Sequence, residues 1–262
     1  MTRGAATERF SDRARDYAAY RPGYPPAVLE LLRREIGLRP DWVVADVGSG
    51  TGLSSEPFIR NGNLVFAVEP NDAMRRAAEA RLGGHARFHS VAGTAEATGL
   101  AEHSVDLAVA AQAFHWFDAP AARRELVRVL RPPRWTALMW NTRRTDATAF
   151  LREYEQLVLT YGTDYAAVRH DSTKVAARTA MFFGGPFERR SVYNEQVLDL
   201  EGLRGRILSS SYMPAEDDAA RAPMLQALET MFDRHQEDGT VRMEYDTEVL
   251  FGRLSPDRAD AP

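Results

Sequence analysis

The chain of 262 residues contains no cysteine. Disulfide bonds, thiolate catalysis and cysteine-ligated metal sites are therefore excluded, and the composition is compatible with a reducing cytosol. No apolar run approaches the roughly 18 residues that a membrane-spanning helix needs. The first residues, Met1 to Asp16, are polar and charged, unlike a secretion signal. These absences predict a soluble cytoplasmic protein.

The chain has no surplus of basic residues, because 33 lysines and arginines stand against 37 aspartates and glutamates, a formal net charge of −4. A nucleic-acid-binding domain usually carries the opposite imbalance, since its cations neutralise backbone phosphates. We therefore expect no nucleic-acid partner, and no membrane partner either. No clustered set of His, Asp and Glu ligands stands out in the sequence, so no metal is expected.

The segment from Val43 to Gly52 joins an apolar run to three glycines at every second position. The apolar run predicts a buried parallel strand, and the glycines predict a turn with positive φ or a close ligand. A second apolar run, Leu64 to Val68, ends at Glu69. An acid at the end of a second strand is suited to bind the two hydroxyls of a nucleoside ribose. The alternative interpretation is a glycine turn that binds no ligand.

The spacing Asp-x-Gly-x-Gly-x-Gly, from Asp46 to Gly52, resembles the first motif of the class I S-adenosylmethionine (SAM)-dependent methyltransferases. Glu69 matches the ribose-binding acid of that family. The run Gln112 to Phe117 resembles the small-molecule methyltransferases related to trans-aconitate methyltransferase, which are of the methyltransferase type 11 kind. The resemblance covers most of the chain. It implies SAM as the cofactor and an α/β fold with a doubly wound, mostly parallel, seven-stranded Rossmann-like sheet.

Turns and changes of pattern divide the chain into five predicted segments. They are an N-terminal flap with the first helix (1–37), a SAM-binding Rossmann-like core (38–145), a helical cap insertion (146–186), C-terminal strands and helices that complete the sheet (187–254), and a tail (255–262). The resemblance implies that the flap folds over the cofactor; a surface helix whose tyrosines pack on the core is the alternative. Family members usually enter strand five through a Pro-Gly-Gly turn, but Pro132-Pro133-Arg134 stands here, so the path of this loop is expected to differ.

The resemblance assigns cofactor contacts to the flap and to the ends of the predicted strands. These residues are Tyr17, Tyr20, Arg21, Asp46, Gly48, Gly50, Gly52, Glu69, Pro70, Met74, Thr94, Ala95, Glu96, Gln112, Ala113 and Phe114. Met74 lies at a helical spacing that also suits core packing, in a helix that Asn71 is predicted to cap. Glu96 is expected to accept a hydrogen bond from the adenine amino group, with an exposed turn acid as the alternative.

The acceptor side is predicted at the end of the fourth strand, because ligands bind at that edge of open α/β sheets. His115 is the first candidate for a general base, with Tyr17 and His170 behind it; a substrate hydrogen bond or a structural role are the alternatives for His115. The predicted substrate contacts are His115, Trp116, Trp140, Tyr165, Arg169 and His170. The hydroxyl-rich run from Ser209 to Pro214 is interpreted as a helix-ending turn, with a pocket lining as the alternative.

These features predict a methyltransferase that acts on a small-molecule acceptor, at oxygen, nitrogen or a carboxyl group, as a monomer or homodimer. Alignment of the two reactants is expected to dominate the rate, since it can supply roughly 7–11 kcal/mol of the barrier. The fold alone does not fix the reaction. Two alternatives remain open: an enzyme that cyclises the aminobutyl arm of SAM and releases methylthioadenosine, and a SAM-binding protein without catalysis.

Overall fold

Seven strands form one sheet in the order β3-β2-β1-β4-β5-β7-β6 in the computed structural model, which describes residues 19–163, 165 and 172–255. Neighbouring strands are parallel except where β7 pairs with β5 and β6. The strands are β1 (Val43–Val47), β2 (Leu64–Val68), β3 (Phe88–Val91), β4 (Val105–Ala111), β5 (Leu130–Arg143), β6 (Phe187–Leu198) and β7 (Val241–Arg253). The predicted doubly wound, mostly parallel α/β fold is confirmed.

Helices connect most of the strands. Within the described ranges they are α1 (Pro26–Ile36), α2 (Ser55–Asn61), α3 (Asp72–Leu82), α4 (Ala119–Val129), α5 (Ala149–Tyr161), α6 (Ser172–Phe183), α7 (Leu200–Leu208) and α8 (Arg221–His235), with a 3₁₀ turn at Phe114–Trp116. In this part of the chain, none is both long and apolar enough to cross a membrane.

Local sequence signals explain the ends of these helices. Helix α1 begins with proline at its first position, where a missing N–H costs nothing, and ends at Gly37, whose φ of 73° suits a residue without Cβ. Helix α3 begins after Asn71, whose side chain accepts the N–H of Met74 at 3.0 Å. The predicted cap is therefore confirmed.

The sheet is covered on both faces, as a parallel sheet requires. Along β1, Val44 packs in a cluster with residues of α1, α2 and α3, whereas Ala45 and Val47 pack on the opposite face in a cluster that includes α4 and α6. The strand is thus buried on its two sides. The carboxyl ends of the parallel strands form the edge at which polar residues gather.

A third apolar cluster lies past that edge. It joins α5, α7 and α8 to the first residues of β7, including Val241 and Met243. Strand β7 pairs with β5 only from Tyr245 onward, opposite Arg143, so residues 241–244 continue with β6 beyond the end of β5. The segment 146–186 contributes to two regions, because α5 belongs to this helical layer whereas Phe182 and Phe183 of α6 lie in the core of the sheet.

The entry into β5 departs from regular pairing. Val105 pairs with Leu130 and Leu107 pairs with Trp135, so the residues from 131 to 134 bulge out of the ladder. Arg134 takes a φ of 66°, the left-handed conformation that glycine commonly supplies in such turns. Strand β5 resumes in parallel register with β4 after the bulge, so the missing glycines change the loop and leave the sheet intact.

Candidate functional site

The glycine turn after β1 contains two kinds of glycine, although Gly48, Gly50 and Gly52 all have positive φ. A Cβ added at Gly48 would lie 2.6 Å from Cβ of Ala113, and one at Gly52 would lie 2.6 Å from Cδ1 of Leu82. At Gly50 no atom lies within 4 Å of such a Cβ. Gly48 and Gly52 therefore allow close packing, whereas Gly50 presents bare backbone to open space.

Glu69 follows β2 and stands directly beside this turn. Its carboxylate accepts the backbone N–H of Gly50 at 3.0 Å on Oε2 and that of Asn71 at 2.8 Å on Oε1. Burial raises the pKa of Glu69, and the two hydrogen bonds oppose that rise. Because a carboxylate oxygen has a second lone pair, both oxygens can still accept a hydroxyl each. The two backbone bonds therefore hold a carboxylate in a fixed position for a diol.

Asp46, at the end of β1, is fully buried. Its Oδ2 accepts the hydroxyls of Ser54 at 2.7 Å and Ser55 at 2.6 Å, which tie it to the start of α2. Burial raises the pKa of Asp46 to about 6, although the two serine hydroxyls favour the ionised form. Its other oxygen, Oδ1, is buried and has no hydrogen-bond partner in the described part of the chain.

Two more orphaned polar atoms lie in the same turn: Oγ of Ser49 and Oγ1 of Thr51 are buried and lack partners among the described residues. Buried polar groups are usually hydrogen-bonded, so three such atoms at the end of β1 and in the turn after it call for an external partner. A ligand with both an ammonium and a carboxylate, such as the amino-acid end of SAM, offers donors and acceptors of the required kinds. The polar groups of Asp46, Ser49 and Thr51 are therefore suited to bind the amino-acid end of SAM.

The residues predicted to contact adenine differ in their exposure and in their contacts. Met74 is buried, and Pro70 is exposed at the mouth of the turn. Ala95 packs into the core of the sheet, whereas Thr94 is exposed. Oε1 of Glu96 accepts the N–H of Asp118 at 2.7 Å, so this carboxylate already supports the start of α4. Contacts of these residues with adenine stay predictions.

The end of β4 turns sharply out of the sheet. Gln112 has a φ of 56°, which is uncommon for a residue with a side chain and recurs at functional sites. Its backbone N–H bonds to the carbonyl of Met139 at 2.9 Å, and its side-chain Nε2 donates to the carbonyl of Asn141 at 3.1 Å. Ala113, next in sequence, packs against Gly48. The ends of β1, β4 and β5 are thereby joined.

The 3₁₀ turn presents His115 and Trp116 to solvent, with their ring centroids 4.6 Å apart. Phe114 points the other way: it is buried and makes edge-on contacts with Phe117 and Trp140. Its backbone, rather than its ring, is thus what remains for a cofactor contact. The turn places one imidazole and one indole at the edge where the acceptor was predicted.

Arg178 of α6 binds the backbone of this turn. It is not among the residues predicted from sequence. Its guanidinium donates to the carbonyl of His115 at 3.1 Å and to the carbonyl of Phe117, and it lies 5.0 Å from the ring centre of Phe114. No local motif distinguishes Arg178 from other surface arginines, because its partners are more than sixty residues away in sequence. The position of His115 therefore depends on a helix outside the glycine-turn region.

Replacing Arg178 by methionine is expected to lower the turnover number about tenfold, because its two hydrogen bonds to the turn come from a charged group, and such a bond contributes about 1.5–3 kcal/mol. The affinity for SAM is expected to stay within about twofold, since the glycine turn and Glu69 are untouched. Steady-state kinetics and calorimetry measure the two quantities. A variant with full turnover would show that the turn keeps its shape without this residue.

The remaining predicted residues are dispersed. Trp140 is buried, and its indole N–H has no partner within the described ranges. Tyr165 donates its hydroxyl to Glu155. Tyr20 packs against Gly205 of α7, and Arg21 donates to the carbonyl of Ser209 at 2.9 Å. Tyr17, Arg169 and His170 lie outside the described residues.

In the described part of the chain, no group of three or more His, Cys, Asp or Glu side chains is placed to hold a metal ion. The polar residues at the carboxyl edge instead divide into two groups. One surrounds the glycine turn with Glu69 and Asp46, and the other surrounds His115 and the end of β5. This arrangement suits a bound nucleoside next to a second, separate reactant.

Known proteins that resemble this chain are methyltransferases. Residues 45–136 match a family model described as a methyltransferase domain. An uncharacterized methyltransferase of Mycobacterium tuberculosis is 30% identical over 219 residues, which cover 84% of this chain and 83% of that protein. A yeast protein from Saccharomyces cerevisiae, named "Probable S-adenosylmethionine-dependent methyltransferase", is 29% identical over 124 residues, 44% of this chain and 40% of its own.

Solved structures share the fold. A protein from Anaeromyxobacter dehalogenans, provisionally named a type II methyltransferase, superposes with a TM-score of 0.64 at 26% identity and covers 91% of this chain and 100% of its own. The relatives, the matched domain and the structural likeness point to one family, and the yeast relative is named for its dependence on SAM. This chain therefore belongs to the class I SAM-dependent methyltransferases.

Proposed function

We propose that the enzyme transfers the methyl group of SAM to a small-molecule acceptor at the carboxyl edge of the sheet. The observation that carries this proposal is the pairing of Gly50, which borders open space, with the fixed carboxylate of Glu69. When bound, SAM supplies a methyl carbon that its sulfonium already activates. The protein then has to bind, align and exclude water, which are effects of positioning.

The cofactor side of this proposal uses the turn after β1. Glu69 accepts the ribose hydroxyls, and the bare backbone at Gly50 lets the ligand approach. Oδ1 of Asp46, with the hydroxyls of Ser49 and Thr51, receives the polar groups of the amino-acid end. The three orphaned atoms support this assignment, because a polar ligand there removes the cost of leaving them unpaired.

The acceptor side uses the turn after β4. His115 is exposed there and is the candidate base for a hydroxyl or amine acceptor, and Trp116 offers an aromatic face to a cationic or apolar group. The helical layer of α5, α7 and α8 lies past the same edge. Such a cover favours a small acceptor over a folded macromolecule, in keeping with the net charge of −4.

Replacing His115 by alanine is expected to lower turnover at least about tenfold, since positioned acid–base groups contribute roughly 10²–10⁴-fold. The affinity for SAM is expected to change little, because His115 belongs to the acceptor side. Kinetics over a pH range, with calorimetry of SAM binding, separate the two effects. A folded variant with the same turnover as the wild type would show that the role of His115 is structural.

Incubation of the enzyme with SAM, with and without a pool of small metabolites, tests the proposed function when the nucleoside product is identified by mass spectrometry. We expect S-adenosylhomocysteine, formed only when the pool is present. Methylthioadenosine formed without an acceptor would make SAM itself the substrate. Bound SAM that stays unchanged in every pool would favour a non-catalytic protein. A relation to trans-aconitate methyltransferase, a cytoplasmic location and a monomeric or homodimeric state stay predictions from sequence.

A further inference from the structure

A group of buried and half-buried arginines lies beside the acceptor side and is used neither by the glycine turn nor by His115. Arg206 of α7 is 5% exposed. Its Nε donates to the hydroxyl of Tyr245 at 3.0 Å and its Nη1 donates to Oγ of Ser210 at 3.2 Å. Within the described ranges no carboxylate pairs with it. The hydrogen bonds of this buried cation thus go to neutral hydroxyls, and its guanidinium also lies 5.9 Å from the ring centre of Tyr245.

A second guanidinium reaches the same hydroxyl. Nη2 of Arg21 donates to Oγ of Ser210 at 3.3 Å, so two positive groups meet at one oxygen. Like charges brought together in a poorly solvated place repel each other, and the repulsion is stronger than in water. This pair of guanidinium groups therefore favours an anion placed beside it.

Arg143, the last residue of β5, brings a third guanidinium. Its side chain is 9% exposed, and Nη2 pairs with Oε2 of Glu155 at 2.5 Å. The same guanidinium lies 4.6 Å from the ring centre of Tyr154. Its Nη1 is buried and has no hydrogen-bond partner in the described part of the chain. Glu155 thus leaves one donor of Arg143 unused.

The hydroxyl of Tyr212 reports the combined field of these cations. Burial alone would raise the pKa of Tyr212, yet its pKa is lowered, because Arg206 and Arg21 lie close and favour the phenolate. Arg143 acts in the same direction. Cations from the segment before α1, from β5 and from α7 therefore all act on the hydroxyl of Tyr212.

The arginine cluster lies near the carboxyl edge of the sheet, where the turn after β4 carries His115. Nε2 of Gln112 donates to the carbonyl of Asn141, and Arg143 follows two residues later on the same face of β5. Nδ2 of Asn141 donates to the carbonyl of Gly23 at 3.1 Å, which holds the segment that carries Arg21. The arginines are thus tied through β5 to the turn that presents His115.

We propose that Arg143 and Arg206 bind an anionic oxygen group, a carboxylate or a phosphate, of the methyl acceptor. The unused Nη1 of Arg143 and the carboxylate-free Arg206 are the donors that this group satisfies. Guanidinium groups bind such anions with paired, charge-assisted hydrogen bonds. The inference rests on the proposed function, because it assigns the cluster to the acceptor of that reaction.

Calorimetric titration of the enzyme saturated with S-adenosylhomocysteine tests this inference. The probes are benzoate and phenyl phosphate, each compared with a neutral counterpart, benzamide or phenol. We expect at least one anion to bind about tenfold or more tighter than its neutral counterpart. Which anion binds better distinguishes a carboxylate from a phosphate site. Equal binding of anions and neutral compounds, or no binding of either anion, would overturn the proposal.

Arg143→Met and Arg206→Met are expected to weaken anion binding about tenfold or more. Arg144→Met is the matched control, because Arg144 is the next residue after Arg143 and pairs with Asp246 at 2.7 Å. Arg143→Lys and Arg206→Lys serve where a methionine variant does not fold. They should weaken anion binding because lysine lacks the paired N–H donors of a guanidinium. Circular dichroism checks the fold of each variant.

Binding of S-adenosylhomocysteine itself separates this inference from the proposed function. Its affinity should stay within about twofold in the arginine variants. A loss of that affinity as large as the loss of anion binding would assign the arginines to the carboxylate of the cofactor and overturn the acceptor assignment. A wild-type enzyme that binds no S-adenosylhomocysteine would overturn the proposed function.

Discussion

Replacing Asp46 by asparagine is expected to make the protein more stable at neutral pH. The pKa of Asp46 is raised by burial from its ordinary value of 3.8 to about 6. Between these two values the unfolded chain has released the proton while the folded chain still holds it. The free energy of unfolding therefore falls as pH rises through this window, and it stays lowered above pH 6.

The size of this effect follows from the shift in pKa, which corresponds to a destabilisation of about 3 kcal/mol at pH 7. Asparagine has nearly the same shape and no charge, so the free energy of unfolding of the variant should not fall with pH in this way. Urea unfolding of both proteins at pH 4, 5, 6 and 7 measures it. The stability difference, variant minus wild type, should rise with pH; a difference that does not change would contradict the ionisation of a buried Asp46.

The same substitution is expected to weaken SAM binding, because an ionised Asp46 suits the ammonium of the amino-acid end. We expect a loss of about tenfold or more at pH 7, the usual cost of a hydrogen bond to a charged group. Wild-type affinity should also rise between pH 5 and 7, whereas that of the variant should not. An unchanged affinity would limit Asp46 to anchoring Ser54 and Ser55 at the start of α2.

Replacing Glu69 by alanine is expected to weaken SAM binding by about 1–3 kcal/mol, or roughly 5–150-fold in the dissociation constant. The variant loses the acceptor for the ribose hydroxyls and leaves the N–H groups of Gly50 and Asn71 without their carboxylate. Both losses act on the cofactor side, so binding should suffer more than turnover at saturating SAM. Calorimetry with SAM and with S-adenosylhomocysteine measures the affinity.

Asp72→Ala is the control for Glu69. Asp72 opens α3 three residues after Glu69, is exposed, and pairs with Arg75 at 2.8 Å. Its removal changes the charge near the turn without touching the diol acceptor, so SAM affinity should stay within about twofold. If the Glu69 variant bound SAM as well as this control does, the ribose assignment would be wrong.

The local geometry of the glycine turn, Glu69 and Asn71 could largely be predicted from sequence, because its signals are local. Three glycines at alternate positions, an acid after the next apolar run and a capping Asn71 all act within about thirty residues. Each requirement is a matter of backbone geometry or strand order, which short patterns encode. The structure adds what the pattern does not hold: only Gly50 faces open space, whereas Gly48 and Gly52 serve packing.

The arginine cluster could not be predicted in the same way. Arg21, Arg143 and Arg206 come together only when the segment before α1, the end of β5 and α7 meet at one edge. One signal was available: Arg206 follows Leu203 and precedes Ile207, both buried, so an arginine occupies the inner face of a helix. Arg178 gave no such signal, because its importance depends on where the 3₁₀ turn lies.

A crystal structure of the enzyme with S-adenosylhomocysteine tests the central claim most directly. We expect both ribose hydroxyls to lie within hydrogen-bond distance of Glu69, the ligand to cover the backbone of Gly50, and its sulfur to face the turn that carries His115. Oδ1 of Asp46, Oγ of Ser49 or Oγ1 of Thr51 should gain partners from its amino-acid end. A ligand bound away from Glu69 and Gly50 would contradict the account.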